Sequence, residues 1–121
     1  MEVSIISIKK IMAEQEVLIS ICIPAYKRTD FLKRLLESII VQTFKNFEVV
    51  ISDDSPGEEV KQMIDSFRKK LPNLVYHRNI MSLGTPANWN EAINHARGEW
   101  IKIMHDDDWF SGPNSLAAFA D

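Results

Sequence analysis

Four short apolar runs, rich in Ile and Val, alternate with three helical stripes along this chain, and that alternation restricts the folds open to it more than any other feature. The runs are Val17 to Ile23, Phe47 to Ile51, Leu74 to Tyr76 and Trp100 to Met104. Continuous apolar runs of this kind suit strands buried on both faces, as in a parallel sheet. Between the first two, Phe31, Leu32, Leu35, Leu36, Ile39 and Ile40 recur at helical spacing, with Thr29 and Asp30 where an N-cap and a first-turn acid belong. A second helix is expected from Ser55, with Pro56 at its first position and Glu58 completing a capping box. Val60, Met63, Ile64 and Phe67 make its apolar face, and Pro72 stops it. A third starts at Thr85-Pro86, buries Trp89, Ala92, Ile93 and Ala96, and ends at Gly98 as a C-terminal cap.

The order β-α-β-α-β-α-β predicts an α/β fold with right-handed crossovers, a parallel sheet in the order 3-2-1-4 and helices on both faces. Open sheets of this type bind ligands outside the carboxyl ends of their strands. Polar groups fall at all four of those ends: Tyr26 and Arg28, then Asp53 and Asp54, then Asn79, then Asp106 to Asp108. The last set is three adjacent carboxylates, which repel one another unless a cation lies among them. Hard cations such as Mg²⁺ or Mn²⁺ take oxygen ligands and are commonly shared with a substrate phosphate. The alternative for an isolated Asp triplet is a solvated acidic turn. The convergence of four separate segments on one sheet edge favours a site.

Bulk properties narrow the classes. At 121 residues, 45% hydrophobic and 26% charged, the chain is one globular domain at most. Its net charge of −3 gives no electrostatic case for nucleic acid. The single cysteine, Cys22, lies in the first apolar run and reads as a buried thiol, not a nucleophile. One cysteine makes no intramolecular disulfide, which fits a reducing compartment. No apolar run approaches the roughly 18 residues of a membrane span. Residues 1–16 mix Ile with Lys and Glu, lack the features of a signal peptide, and read as a leader before a domain over 17–121. A turn at Ser111-Gly112-Pro113-Asn114 leads into a helical pattern from Ser115 that stops at Asp121 as if cut. His77 and His95 read as surface histidines without partners that would make them ligands, and Trp89 as core.

Five segments, in order, carry a resemblance. They are Ile19 to Arg28, Leu36 to Phe44, Phe47 to Ser55, Gly98 to Ile101, and the His105 to Asp108 cluster. Together they resemble the family 2 inverting glycosyltransferases of GT-A fold, over Val17 to about Phe119. The resemblance implies a Rossmann-like GT-A half-domain that binds the donor, a nucleotide-diphosphate sugar such as a UDP-sugar, and Mn²⁺ or Mg²⁺ as cofactor. It implies that Pro24 and Tyr26 wall the base pocket, Arg28 lies near the phosphates, and Asp54 recognises the base with Asp53 beside it. Asp106 would contact the ribose and Asp107 would ligate the metal, with Asp108 as an alternate ligand. His105 stands where the family often has the first Asp of its motif. Asn79, Gly84 and Asn88 are expected near the ribose or sugar, Gly84 in a tight turn and Asn88 at a helix end.

Inverting transfer needs a base for the acceptor hydroxyl. In the family that base and the acceptor pocket lie later in the domain, so the base is expected downstream of Asp121, and the chain alone is expected to bind donor without transferring sugar. The implied setting is polysaccharide or surface-glycan synthesis in the cytoplasm or at the cytoplasmic membrane face, with a glycan or lipid-linked acceptor. An edge strand left open would favour self-association.

The rivals are a metal-dependent nucleotidyltransferase, a phosphoacceptor signalling domain and a non-catalytic nucleotide-sugar-binding domain. The first should carry a Gly-rich or basic phosphate loop after the first strand, and Pro24 to Arg28 has no glycine. The second wants its acidic pair after the first strand, where this chain has Pro-Ala-Tyr. The third differs only in lacking a catalytic base.

Overall fold

The computed structural model describes residues 17–120; the leader expected over 1–16 lies outside the described residues. Strands β1 (Ile19–Ala25), β2 (Phe47–Asp53), β3 (Leu74–Arg78) and β4 (Trp100–Ile103) alternate with helices α1 (Thr29–Ile40), α2 (Glu59–Phe67) and α3 (Ala87–Asn94), and α4 (Ser115–Ala120) follows β4. The sheet is parallel in the order β3-β2-β1-β4, as the alternation predicts. Its register sets Ala25, Asp53 and Arg78 in one row at the carboxyl edge.

The central strands are buried at every residue because both faces are covered. On one face Ile19, Ile21 and Ile23 of β1 and Val49 and Ile51 of β2 meet Leu32, Leu35, Leu36 and Ile39 of α1, Val60 and Ile64 of α2, and Leu116 of α4. On the other, Cys22 and Val50 pack on Ala92 of α3. Burial drives the Cys22 thiol up to about 12, with the Glu48 carboxylate adding to the shift, so the thiol is inert as expected. The helix from Ser115 is present, held by Gln42, which accepts from Leu116 N at 3.0 Å and donates to the Gly112 carbonyl at 2.8 Å.

Several local expectations are corrected. α2 begins at Glu59, and the capping box from Ser55 does not form. Ser55 Oγ instead accepts from Lys27 N at 2.8 Å, and the Glu58 carboxylate pairs with Arg78. Thr29 is the first residue of α1, and its cap position is Arg28. Phe31 leaves the buried stripe and lies exposed under the Arg28 guanidinium. Gly98 does not cap α3, which ends at Asn94. A Cβ at Gly98 would stand 2.6 Å from both the backbone nitrogen and the Oγ of Ser20, so glycine there permits a close approach to β1. β4, expected to be buried on both faces, is an edge strand with Trp100, Ile101 and Ile103 exposed.

One polar element within the sheet was not foreseen as structural. Glu48, fully buried on β2, accepts from Ser20 Oγ at 2.6 Å, from Arg97 N at 2.6 Å and from Arg97 Nε at 3.1 Å. Burial opposes its ionisation, yet those donors hold its carboxyl below the usual range. The knot ties the turn before β4 to the sheet.

Candidate functional site

The carboxyl edge holds two adjoining clefts that share Tyr26, Asp54 and Ser82. One, of about 330 Å³, is lined by Pro24, Tyr26, Arg28, Asn88, Trp89, His105 and Asp106 among others. The other, of about 480 Å³, runs from Tyr26 past Ser55 and Arg78 to Ile80. Together they fall in the size range of small-molecule sites. A further depression, built on Ile40, Phe47, Val49 and Leu71 with Lys45 and Lys70, lies at the opposite, amino end of the strands and holds no carboxylate.

The turn after β1 aims the first polar set. Lys27 adopts φ 63°, a left-handed conformation that costs a non-glycine residue roughly 1–2 kcal/mol. Hydrogen bonds from Arg28 N to the Tyr26 carbonyl and from Thr29 N to the Lys27 carbonyl, both 2.7 Å, hold it there. The result puts Tyr26 half-exposed between the clefts and brings Arg28 back over the acidic motif. Residues strained in this way cluster at ligand-binding and catalytic segments.

Asp53 and Asp54 separate in role. Asp53 is fully buried; Oδ1 accepts from Ser55 N at 2.9 Å and Oδ2 from the Tyr76 hydroxyl at 2.5 Å. It lines neither cleft. Asp54 lines both. Its Oδ1 accepts from Leu83 N at 2.7 Å and Asn79 Nδ2 at 3.0 Å, and its Oδ2 from Ser82 Oγ at 2.8 Å and Gly84 N at 2.9 Å. Burial raises the cost of ionising it, and the two backbone N–H groups with Asn79 and Ser82 outweigh that, holding its carboxyl below the usual range. The Ser82–Gly84 segment is thus wrapped on one carboxylate. Gly84, at φ +71°, makes the tight turn expected of it.

Asn88 stands at a helix end, as expected, but in a buried setting. It is buried in the first turn of α3, where Oδ1 accepts from Ser52 Oγ at 2.7 Å and Asn79 Nδ2 at 2.9 Å. Trp89 is not core: it forms a cleft wall with its ring edge-on to His105, centroids 4.7 Å apart.

In the acidic motif the three carboxylates diverge. Asp106, with 7% of its side chain exposed, accepts from Tyr26 N at 3.4 Å and faces Arg28 Nη2 at 3.6 Å. Burial raises its carboxyl above the usual range, opposed by Arg28 and the Tyr26 N–H. Asp107 is half-exposed, with Arg28 Nη1 at 3.6 Å. Asp108 turns back to accept from His105 N at 3.0 Å. The cation these residues demand is supplied in part by Arg28, which the sequence placed only near phosphates. Trp109 is exposed, with the Arg34 guanidinium over its ring at 4.7 Å.

Among the described residues, the three-residue set whose ligand atoms lie within 4.8 Å of one another is His77, Glu91 and His95, not the acidic motif. The two histidines taken as partnerless surface residues therefore share a carboxylate. Only the structure could show it, since His77 lies on β3 and the others on and just after α3.

Residues 20–119 match Glycosyl transferase family 2. Abequosyltransferase RfbV of Salmonella typhimurium is 36% identical over 94 residues, covering 75% of this chain and 28% of the relative. The putative colanic acid biosynthesis glycosyl transferase WcaA of Escherichia coli is 34% identical over 104 residues, covering 84% and 36%. The structure of S. aureus TarS 1-349 in complex with UDP superposes with a TM-score of 0.78 at 30% identity, covering 86% of this chain and 31% of that one. The chain thus spans about a third of the length of these relatives. The GT-A fold expected from the sequence is the fold of these neighbours, and the chain belongs to glycosyl transferase family 2.

Proposed function

We propose that these residues form the donor-binding part of an inverting glycosyltransferase that takes a UDP-sugar with a divalent metal and serves in glycan assembly. One observation carries it: Tyr26, Arg28, Asp54 and Asp106, contributed by three strand ends, line one cleft at the carboxyl edge of the sheet. Binding of UDP by TarS, 30% identical and alike in fold, supports the choice of nucleotide.

The half-exposed Tyr26 ring offers an apolar face to the base. The uracil N–H donates to Asp54 in exchange for one of its present donors, and the Ser82 hydroxyl, on an exposed residue, is the one most readily replaced. Asp106, poor in donors for a buried carboxylate, accepts from the ribose hydroxyls. Arg28 sits where it can pair with the diphosphate. Asp53 supports the strand ends instead of touching donor.

The acidic motif fits a hard cation: its donors are carboxylate oxygens, and Asp107 is half-exposed with one partner at 3.6 Å. Asp107 would hold the ion, with Asp108 able to join it by leaving His105 N. When bound, Mn²⁺ or Mg²⁺ stabilises the negative charge that grows on the departing diphosphate. The carboxylates that line the cleft, Asp54 and Asp106, are committed to binding donor, so neither is left to serve as the base for an acceptor hydroxyl.

Calorimetry of UDP binding tests this. Affinity should be at least tenfold higher with Mn²⁺ than with a chelator, and Asp107→Ala should abolish that difference. Leu36→Ala, in the core, should lower stability and leave the metal dependence intact. Metal-independent binding, or an unchanged Asp107 variant, defeats the metal assignment; no binding of UDP defeats the donor assignment.

A further inference from the structure

We infer that His77, Glu91 and His95 form a second metal site, separate from the acidic motif and selective for a borderline transition ion, Zn²⁺ in the first instance. Glu91 and His95 are four residues apart, so both project from the same side of the chain at α3, and His77 meets them from β3. Glu91 Oε1 lies 3.0 Å from His95 Nε2 and 3.6 Å from His77 Nε2. The two imidazole rings are 4.3 Å apart between centroids. A tetrahedral ion with bonds of about 2.0–2.1 Å spaces its ligand atoms by roughly 3.3 Å. The two measured contacts straddle that value, and all three ligand atoms lie within 4.8 Å of one another.

The donor set decides the metal. Two imidazoles and one carboxylate match zinc or copper, whereas magnesium and manganese prefer oxygen. The three side chains are each about one-third exposed, which leaves a fourth position to water. One carboxylate oxygen faces both ring nitrogens, and an ion seated among the three would take them together as ligands. Of the three histidines in the chain, the third, His105, packs on Trp89 beside the acidic motif, and the one cysteine is buried.

The position gives the site a consequence. His77 is two residues before Asn79, and Glu91 three after Asn88, the pair that anchors Asp54 and the helix start. An ion there clamps β3 to α3 beside the donor cleft without entering it.

The test titrates tag-free protein with Zn²⁺ against a chromophoric chelator and with Co²⁺ in the visible range. Asp107→Asn protein should still bind one Zn²⁺ per chain, raise its Tm on binding, and give the intense Co²⁺ bands of a low-coordinate site. His77→Ala, His95→Ala and Glu91→Gln should each weaken Zn²⁺ at least tenfold. Glu91→Gln keeps its size and both rings, so it decides the matter if a histidine variant does not fold. No Zn²⁺ binding, binding unchanged in these variants, or binding lost through Asp107→Asn alone overturns the proposal.

Discussion

The Tyr76 hydroxyl donates to Oδ2 of Asp53 at 2.5 Å, joining the edge strand β3 to the last residue of β2. That bond helps set two adjacent aspartates in different surroundings: Asp53 is fully buried and lines neither cleft, and Asp54 opens onto both.

Tyr76→Phe leaves a fully buried carboxylate one donor short. The cost is about 1–3 kcal/mol, a Tm lower by at least ~4 °C for a domain of this size. UDP affinity should stay within about twofold of the parent. Asp53→Ala should likewise fall in stability more than in affinity. A tenfold loss of UDP affinity in stable Tyr76→Phe protein would return Asp53 to the donor pocket.

Asp54→Ala should act on both quantities. It removes the acceptor for Leu83 N and Gly84 N, so those amides should exchange with deuterium at least tenfold faster, and donor affinity should drop by a similar factor. Unchanged exchange would mean that the Ser82–Gly84 segment is held by something other than this carboxylate.

The acid limb of stability follows from three carboxyls with opposing signs. Glu48 and Asp54 have folded pKa values below their unfolded ones, so their contribution is present above the ordinary carboxylate range and is lost as pH falls through the folded values. Asp106 has the reverse sign: its folded value is raised, so its charged form opposes folding at neutral pH. Tm should therefore hold from neutrality to about pH 5 and fall below about pH 4. Glu48→Gln should lower Tm at pH 7 and flatten that acid fall. Asp106→Asn should raise Tm at pH 7 by a few degrees while weakening UDP at least tenfold, as when a site's strain is relieved. A destabilised Asp106→Asn protein would show that the Arg28 pairing outweighs burial.

The sheet order and the gathering of polar groups at one edge were legible because each rests on a local pattern repeated four times. The capping box from Ser55 failed because it competes with partners distant in sequence: Lys27 takes the hydroxyl and Arg78 takes Glu58. Trp89 followed the helical spacing of core residues, yet that face of α3 turns at its start from the sheet to the cleft, where His105 meets it. Glu48 sits in a strand motif whose pattern says nothing of Arg97, 49 residues away. His77 and His95 are likewise joined only by the packing of α3 against the sheet. What the sequence concealed was pairing between segments.

β4 supplies the last prediction. Its run of Trp100-Ile101-Lys102-Ile103 reads as a buried strand, and β1 is indeed its partner on one side. Among the described residues it has no partner on the other, and Trp100 is 60% exposed. Register places Trp100 and Lys102 on the face of Ile19 and Ile21, and Ile101 and Ile103 on that of Ser20 and Cys22, so apolar groups are bare on both faces. An unpaired strand edge of this composition pairs with other chains, and a lone Lys102, drawn to the Phe119 ring at 5.5 Å, is a weak deterrent. The 121-residue chain should therefore associate with itself in light scattering as its concentration rises. Ile103→Lys, which adds a charge to the bare edge without touching the cleft, should shift that association to at least tenfold higher concentration and leave UDP affinity alone. A parent chain monomeric at high concentration would show that the edge is protected, and association unchanged in Ile103→Lys would place the contact elsewhere.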